Sequence, residues 1–153
     1  MCSFNVRKAV PADAPQIAGI ERLCFSAPWS ENAVLSEINK QTAVFLVCEQ
    51  KTGVIGYASF ETVCGECYMG NLAVYPKFRR KGAAAALLNA LRELAERNHC
   101  AFITLEVRAS NTPARTLYER CGFSVQGVRR GFYTDPAEDA VIYTLFLQKE
   151  SSI

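Results

Sequence analysis

Short strand-like runs alternating with helical segments make this 153-residue chain a mixed α/β protein. Two observations carry that reading. Apolar residues recur at helical spacing across residues 82–97, at Ala84, Leu87, Leu88, Leu91, Leu94 and Ala95, which is the 3.6-residue period of an amphipathic helix. Runs rich in β-branched and aromatic residues, closed by Gly, Pro or Asn, lie before and after that helix.

Residues 4–10 alternate enough to form an edge strand that Pro11 ends. Asp13 then stands where it can cap a first helix, with Gln16 at the capping-box position and Ile17, Ile20, Leu23 and Cys24 on its inner face. A second short helix is expected after the cap Ser30, following Ala27-Pro28-Trp29, with Val34, Leu35 and Ile38 turned inward. Residues 43–49, 54–63 and 67–74 read as strands, and the short turns at Thr52-Gly53 and Gly65 make them an antiparallel meander.

Residues 102–107 form a strand reached through the helix at 82–97, so this strand should run parallel to the one before the helix. A fourth helix starts near Asn111 and Thr112, carries Leu117 and Tyr118, and stops at Cys121-Gly122, where Gly122 can take the left-handed conformation. Residues 123–129 and 140–147 close the chain as strands, and the polar stretch 131–139 between them is expected as a loop. No internal repeat, low-complexity tract or linker interrupts this order, so one domain over residues 1–153 is expected.

Half of the residues are hydrophobic and 21% are charged, enough apolar material for a real core, which excludes disordered and fibrous classes. No apolar run approaches the roughly 20 residues of a spanning helix. The N-terminal residues lack the apolar core of a signal peptide, so a cytoplasmic protein without a membrane partner is expected. Seventeen basic side chains against fifteen acidic ones leave a net charge of +2, too little to argue for nucleic acid. Local basicity concentrates at residues 77–81 and at Arg129-Arg130, which suits a small polyanion.

Seven cysteines is an odd number, and cytoplasmic thiols are expected to be reduced. Cys64-Gly65-Glu66-Cys67 has ligand spacing, but Cys2, Cys24, Cys48, His99, Cys100 and Cys121 supply no second Cys-x-x-Cys for a four-ligand metal site. A hairpin turn there, and no metal, is the expectation. His99 is expected at the surface, at a helix end.

The stretch from Asn71 to Ala85 runs from a strand through a basic, glycine-bearing turn into the long helix. Main-chain N–H groups at a helix start lack intrahelical partners and the peptide dipoles sum to positive potential there, so the turn forms a cradle for a pyrophosphate. Neither Gly-x-Gly-x-x-Gly nor Gly-x-x-x-x-Gly-Lys-Ser/Thr occurs in it.

Arg79-x-x-Gly82-x-Ala84, Leu105-Glu106-Val107-Arg108-Ala109-Ser110-Asn111 and Leu117-Tyr118-Glu119-Arg120-Cys121-Gly122-Phe123, taken with the order of elements, resemble the GNAT acetyltransferase superfamily. Within it the chain is most similar to the ribosomal-protein-alanine N-acetyltransferase (RimI) group, on Pro28-Trp29-Ser30, Arg129-Arg130-Gly131-Phe132-Tyr133 and Glu138-Asp139-Ala140. The resemblance implies a mostly antiparallel sheet of about seven strands with four helices on both faces. It also implies acetyl-CoA as co-substrate: the main chain of Leu72, Ala73 and Val74 would pair with the pantetheine arm. Arg79 and the amides of Arg80, Lys81, Gly82, Ala83, Ala84 and Ala85 would hold the pyrophosphate, with Asn111 and Tyr118 also against the cofactor. Two departures stand out: Arg79 where glutamine is common, and Ala84 where a second glycine is usual and a positive φ would be forbidden.

By the same resemblance Glu106 is the general base and Tyr118 the general acid, with the N–H of Val74 facing the oxyanion. Desolvation in an apolar strand would raise the pKa of Glu106; strand alternation alone would instead make it an outward-facing residue. A helix tyrosine such as Tyr118 commonly serves packing, and Asn111 could cap its helix as well as bond the cofactor. Direct attack is preferred to an acetyl-cysteine route, because no cysteine stands in an electropositive pocket that would lower its pKa convincingly.

The implied acceptor is the α-amino group of a protein N-terminus, in the family an alanine-starting ribosomal small-subunit protein. Trp29, Phe132 and Tyr133 could line a groove for an extended peptide, with Arg129 and Arg130 binding acidic side chains or carbonyls; equally, Trp29 could plug the core. A small amine as acceptor and a non-catalytic acetyl-CoA sensor are the rival readings, and a monomer or weak dimer is expected.

Overall fold

A computed structural model describes residues 4–147, which leaves Cys2 outside the described residues. Seven strands and four helices follow in the order β1 (Asn5–Lys8), α1 (Ala14–Cys24), α2 (Glu31–Ile38), β2 (Ala43–Gln50), β3 (Gly53–Val63), β4 (Glu66–Val74), α3 (Ala83–Arg97), β5 (Phe102–Arg108), α4 (Thr112–Arg120), β6 (Ser124–Thr134) and β7 (Ala137–Phe146). The strands hydrogen-bond in the order β1-β2-β3-β4-β5-β7-β6, mostly antiparallel, with β1 at an edge as its short alternating run predicts. β4 and β5 pair in parallel at Cys67↔Ile103 and Tyr68↔Thr104, the outcome a helical crossover requires. Cys64 and Gly65 both have positive φ, at 50° and 78°, so they form a two-residue hairpin turn of type I′ between Val63 and Glu66, and Cys67 lies within β4.

The contacts divide the chain into two compact units. One runs through Glu61 and includes Met69–Arg92; the other comprises Thr62–Tyr68 and the chain from Glu93 onward.

In the first unit, Ala14, Ile17 and Ile20 of α1 and Val34 of α2 pack with Phe45, Val47, Val54, Tyr57 and Ala73 of the strands, and Trp29 packs partly buried against them. Each Ile, Val or Phe so buried contributes about 1.5–3 kcal/mol. Three expectations fail here for identifiable reasons. Asp13 does not cap α1, because its carboxylate is held by Arg7 at 2.8 and 3.0 Å and by the Val10 N–H at 2.8 Å. Gln16 makes no capping box; its Oε1 accepts from the Val54 N–H at 3.2 Å and so ties α1 to β3. The inner face of α1 is Ala14, Ile17, Ala18, Ile20 and Glu21, whereas Leu23 is 58% exposed. Residue 21 lies four after Ile17 and three after Ala18, the spacing that shares a helix face.

In the second unit β5 alternates strictly, with Ile103, Leu105 and Val107 buried and Phe102, Thr104, Glu106 and Arg108 half-buried on the opposite face. The expected loop at 131–139 is a correction: β6 and β7 continue through it as a hairpin that closes on Asp135-Pro136. Register shifts between Val125 and Gly127 and between Arg129 and Tyr133 absorb the extra residues as bulges, so a polar strand pair stands where composition pointed to a loop. His99 is exposed with φ of 56° just past α3, at the helix end as expected.

Candidate active site

In the first unit, β4 leads through Pro76–Phe78, a 3-10 turn, into Arg79-Arg80-Lys81-Gly82 and α3. Arg80 and Gly82 are left-handed, with φ of 63° and 92°, which folds the basic turn back so that α3 starts at Ala83. The first intrahelical bond runs from Ala86 N–H to Gly82 C=O at 3.0 Å. The amides of Ala83, Ala84 and Ala85 therefore fall in the first turn, whose N–H groups have no intrahelical acceptor, and they suit an anion. Ala84 is not among the residues with positive φ, so the missing second glycine leaves the helix start undistorted. Lys77 and Lys81 place their ammonium groups over the Phe78 ring, at 5.3 and 6.0 Å from its centre, and keep the turn cationic.

Arg79 is committed partly to structure. Its Nε donates to the Val74 carbonyl at 3.1 Å and its Nη2 to Cys24 Sγ at 3.2 Å, so it braces the end of β4 against α1. Upstream, the Asn71 N–H donates to the Ser59 hydroxyl at 3.0 Å. Leu72 is half-buried, and Ala73 and Val74 are buried, between these two anchored points.

The same unit contains a buried carboxylate that sequence reasoning missed. Glu21 is 1% exposed and accepts from the Trp29 N–H at 2.8 Å, from Asn71 Nδ2 at 3.0 Å and from the Tyr57 hydroxyl. Burial pushes its carboxyl up, and the Trp29 and Asn71 donors oppose that shift. Helical spacing from Ile17 and Ala18 was the signal that could have found it. Trp29 both touches the core, with its ring 6.1 Å from Phe45, and remains partly accessible beside the first helices.

In the second unit, pairing register brings the chemical groups of β5 and β6 to one face. Glu106 stands opposite Ile142 and Arg129 opposite Ala140, two residues apart on the intervening strand β7, so both point to the same side. Glu106 Oε2 lies 3.5 Å from Arg129 Nε, and the side chains keep 31% and 57% of their exposure. Glu106 thus lies on the half-buried face of β5 and carries a cationic neighbour.

Arg108 organises the β6–β7 turn. It donates to the carbonyls of Pro136 and Asp135 at 2.8 and 2.9 Å, pairs with Glu138 at 3.3 Å, and lies 4.3 Å from the centre of the Tyr133 ring. Tyr133 is half-buried; desolvation first, then the Glu106 charge, raises its phenol, while Arg108 counteracts. Arg129 in turn lies over the Phe132 ring at 5.5 Å.

Tyr118 is 5% exposed, its ring 5.7 Å from Phe123 and 5.9 Å from Tyr143. The end of α4 fixes it there. The Phe123 N–H bonds the Tyr118 carbonyl at 3.0 Å and the Gly122 N–H the Glu119 carbonyl at 3.1 Å, a Schellman closure that needs Gly122 at its φ of 94°. Burial, and then Tyr133, pushes the Tyr118 phenol well above its ordinary range, so the proton stays on at neutral pH. Asn111 caps α4 through Oδ1, which accepts from the Ala114 N–H at 3.2 Å.

No described group of His, Cys, Asp and Glu has the arrangement of a metal site, and no described helix is long and apolar enough to cross a membrane. Burial pushes Cys48 up to about 11 and Cys67 up to about 12, so both thiols remain protonated.

Residues 14–123 match the model of the acetyltransferase (GNAT) family. The chain is 36% identical over 135 residues to the ribosomal protein bS18-alanine N-acetyltransferase of Escherichia coli, covering 87% of this chain and 90% of that protein. It is 33% identical over 147 residues to the enzyme of the same name from Haemophilus ducreyi, covering 93% and 99%. The crystal structure of the Escherichia coli ribosomal-protein-S18-alanine N-acetyltransferase superposes with a TM-score of 0.87 at 32% identity, covering 99% of each chain. Arabidopsis thaliana NAA60 in complex with acetyl-CoA shares the fold at a TM-score of 0.86 and 21% identity, covering 95% of this chain and 100% of that one. Fold, family model and relatives that align over nearly the whole length agree: this chain is an acetyltransferase and belongs to the GNAT family.

Proposed function

We propose that the chain moves the acetyl group of acetyl-CoA to the α-amino group of a protein N-terminus, with an alanine-starting ribosomal small-subunit protein as acceptor, in the cytoplasm and as one catalytic domain. The observation that carries this reading is that relatives named for bS18-alanine N-acetylation align over nearly the whole chain; the half-buried carboxylate of Glu106 and the buried phenol of Tyr118, which lie in motifs resembling the family's, support it.

The donor supplies an activated acyl carbon on a thioester. Leu72, Ala73 and Val74 offer main-chain groups to the pantetheine arm, and the amides from Arg80 to Ala85 receive the diphosphate, with Arg79 bracing the strand end. Asn111 serves the cofactor side while it caps α4. On the acceptor side, Trp29, Arg129 and Tyr133 align the peptide. Glu106, half-buried beside Arg129, takes the proton of the attacking amine, directly or through a water. The amine adds to the thioester carbon, forming the C–N bond and an oxyanion that the Val74 N–H stabilises; the oxyanion then collapses, the C–S bond breaks, and Tyr118 gives its proton to the departing sulfur. No metal takes part.

A panel of acceptor peptides and small amines incubated with acetyl-CoA and read by mass spectrometry tests this. Acetylation confined to peptide α-amino groups is the expected result. Transfer to small amines alone, or no transfer with acetyl-CoA bound, would replace the reading with a small-molecule acetyltransferase or a sensor.

A further inference from the structure

Glu21 is a buried carboxylate for which acid–base chemistry has no use, and such a group is costly unless its hydrogen bonds are complete. Here they reach three separate elements. Oε1 takes the main-chain N–H of Trp29 in the loop between α1 and α2, while Oε2 takes Asn71 Nδ2 from β4 and the Tyr57 hydroxyl from β3. No charged group opposes the carboxylate within this set, so its negative charge is spent on three neutral donors. Two of the donors flank the reacting parts: Trp29 on the acceptor side, and Asn71 next to Leu72, the first residue assigned to the pantetheine arm. Asn71 is held a second time through its own N–H on Ser59, so this step of β4 is fixed from main chain and side chain together.

We propose that Glu21 is a positioning residue for acetyl transfer, whose carboxylate locks the Trp29 loop to the Asn71 step of β4 and thereby sets the alignment of the acceptor. The proposal rests on the reading of Trp29 as an acceptor-side residue. A carboxylate suits this task because it accepts on both oxygens at once; the amide of a glutamine keeps one acceptor and turns its other end into a donor, which meets the Asn71 Nδ2 donor. Small displacements of such a frame are enough to slow a bimolecular transfer.

Trp29 is the sole tryptophan of the chain, so its emission reports the loop directly. In Glu21→Gln the acceptor KM should rise about tenfold, the coenzyme A dissociation constant should move by less than about twofold, and acrylamide should quench Trp29 more strongly. The double variant Glu21→Gln with Asn71→Asp reverses donor and acceptor across one bond and should recover most of the acceptor KM, a rescue that a merely structural defect would not show. Should Glu21→Gln fail to fold, Tyr57→Phe removes only one donor and carries the same readouts. An acceptor KM within about twofold of the parent, unchanged quenching, or no rescue by the double variant overturns the proposal. Failure of the parent enzyme on every peptide overturns the N-terminal reading instead, and the same variants are then measured with the amine it does use; with no such amine, Trp29 quenching alone decides.

Discussion

Two glutamates of this chain stand in opposite circumstances. Glu21, in the first unit, is 1% exposed and surrounded by neutral donors; Glu106, in the second, keeps 31% of its side-chain exposure and faces a guanidinium. On the proposed roles, burial goes with a carboxylate that holds other groups still, and access with one that exchanges a proton. A raised carboxyl alone would single out Glu21 as the acid–base residue, yet Glu21 is 1% exposed and its oxygens are already engaged by Trp29, Asn71 and Tyr57. Perturbation marks a constrained group; reach marks a reacting one.

The largest effect expected from this contrast is kinetic. Glu106→Gln and Tyr118→Phe should each lower turnover by about two to four decades while coenzyme A binding persists, as expected for general base and general acid groups. Steady-state kinetics with calorimetry of coenzyme A binding checks both, and near-normal turnover removes these roles.

Stability should show the reverse ranking. Glu21→Ala leaves the Tyr57 hydroxyl, the Asn71 amide and the Trp29 N–H without their acceptor, and a loss of about 3 kcal/mol is expected in denaturant unfolding. Glu106→Ala removes a half-exposed ion pair and should cost less than about 1 kcal/mol. Equal losses would erase the distinction between the two sites.

The pH dependence sharpens it further. The folded Glu21 carboxyl sits above its ordinary value, so its favourable contribution is complete below the unfolded carboxylate range and is lost as pH rises through the folded value. Between about pH 8 and about pH 4, the Tm of the parent should therefore rise relative to that of Glu21→Gln as the solution is acidified. Asp13 works the other way. Arg7 holds it below the ordinary range, so its stabilisation exists at neutral pH and fades as pH falls through that lowered value, which an Asp13→Asn comparison should show.

The smallest change belongs to Arg129→Ala. An ion pair this exposed contributes at most about 0.5 kcal/mol, so thermal unfolding should scarcely move, while the acceptor KM rises if Arg129 binds peptide.

Much of the fold was legible along the chain. Ser30 caps α2 through its Oγ, which accepts from the Ala33 N–H at 3.1 Å; Gly122 ends α4; the long helix occupies its periodic stretch; and the crossover strand is parallel. These features depend on neighbours a few residues apart, which local spacing encodes. The elements misread depend on partners outside the element itself. Asp13 resembled a cap until Arg7 and the Val10 N–H claimed it, and Gln16 found Val54. The stretch 131–139 was polar enough for a loop, but an edge hairpin open to water tolerates polar residues.

At the candidate site, the family resemblance nominated Glu106, Tyr118 and Asn111, while the basic, glycine-bearing turn at 79–85 was legible from its own residues. The chain by itself therefore determined which residue types stand at which step of each element, because helix and strand periods are local properties. Only the tertiary structure decided which donors Glu21 meets, that Arg129 meets Glu106 across β7, and that the Tyr118 phenol is desolvated. Desolvation, register across a third strand and the supply of hydrogen-bond donors arise when segments distant in sequence pack together, and no period within one segment records them.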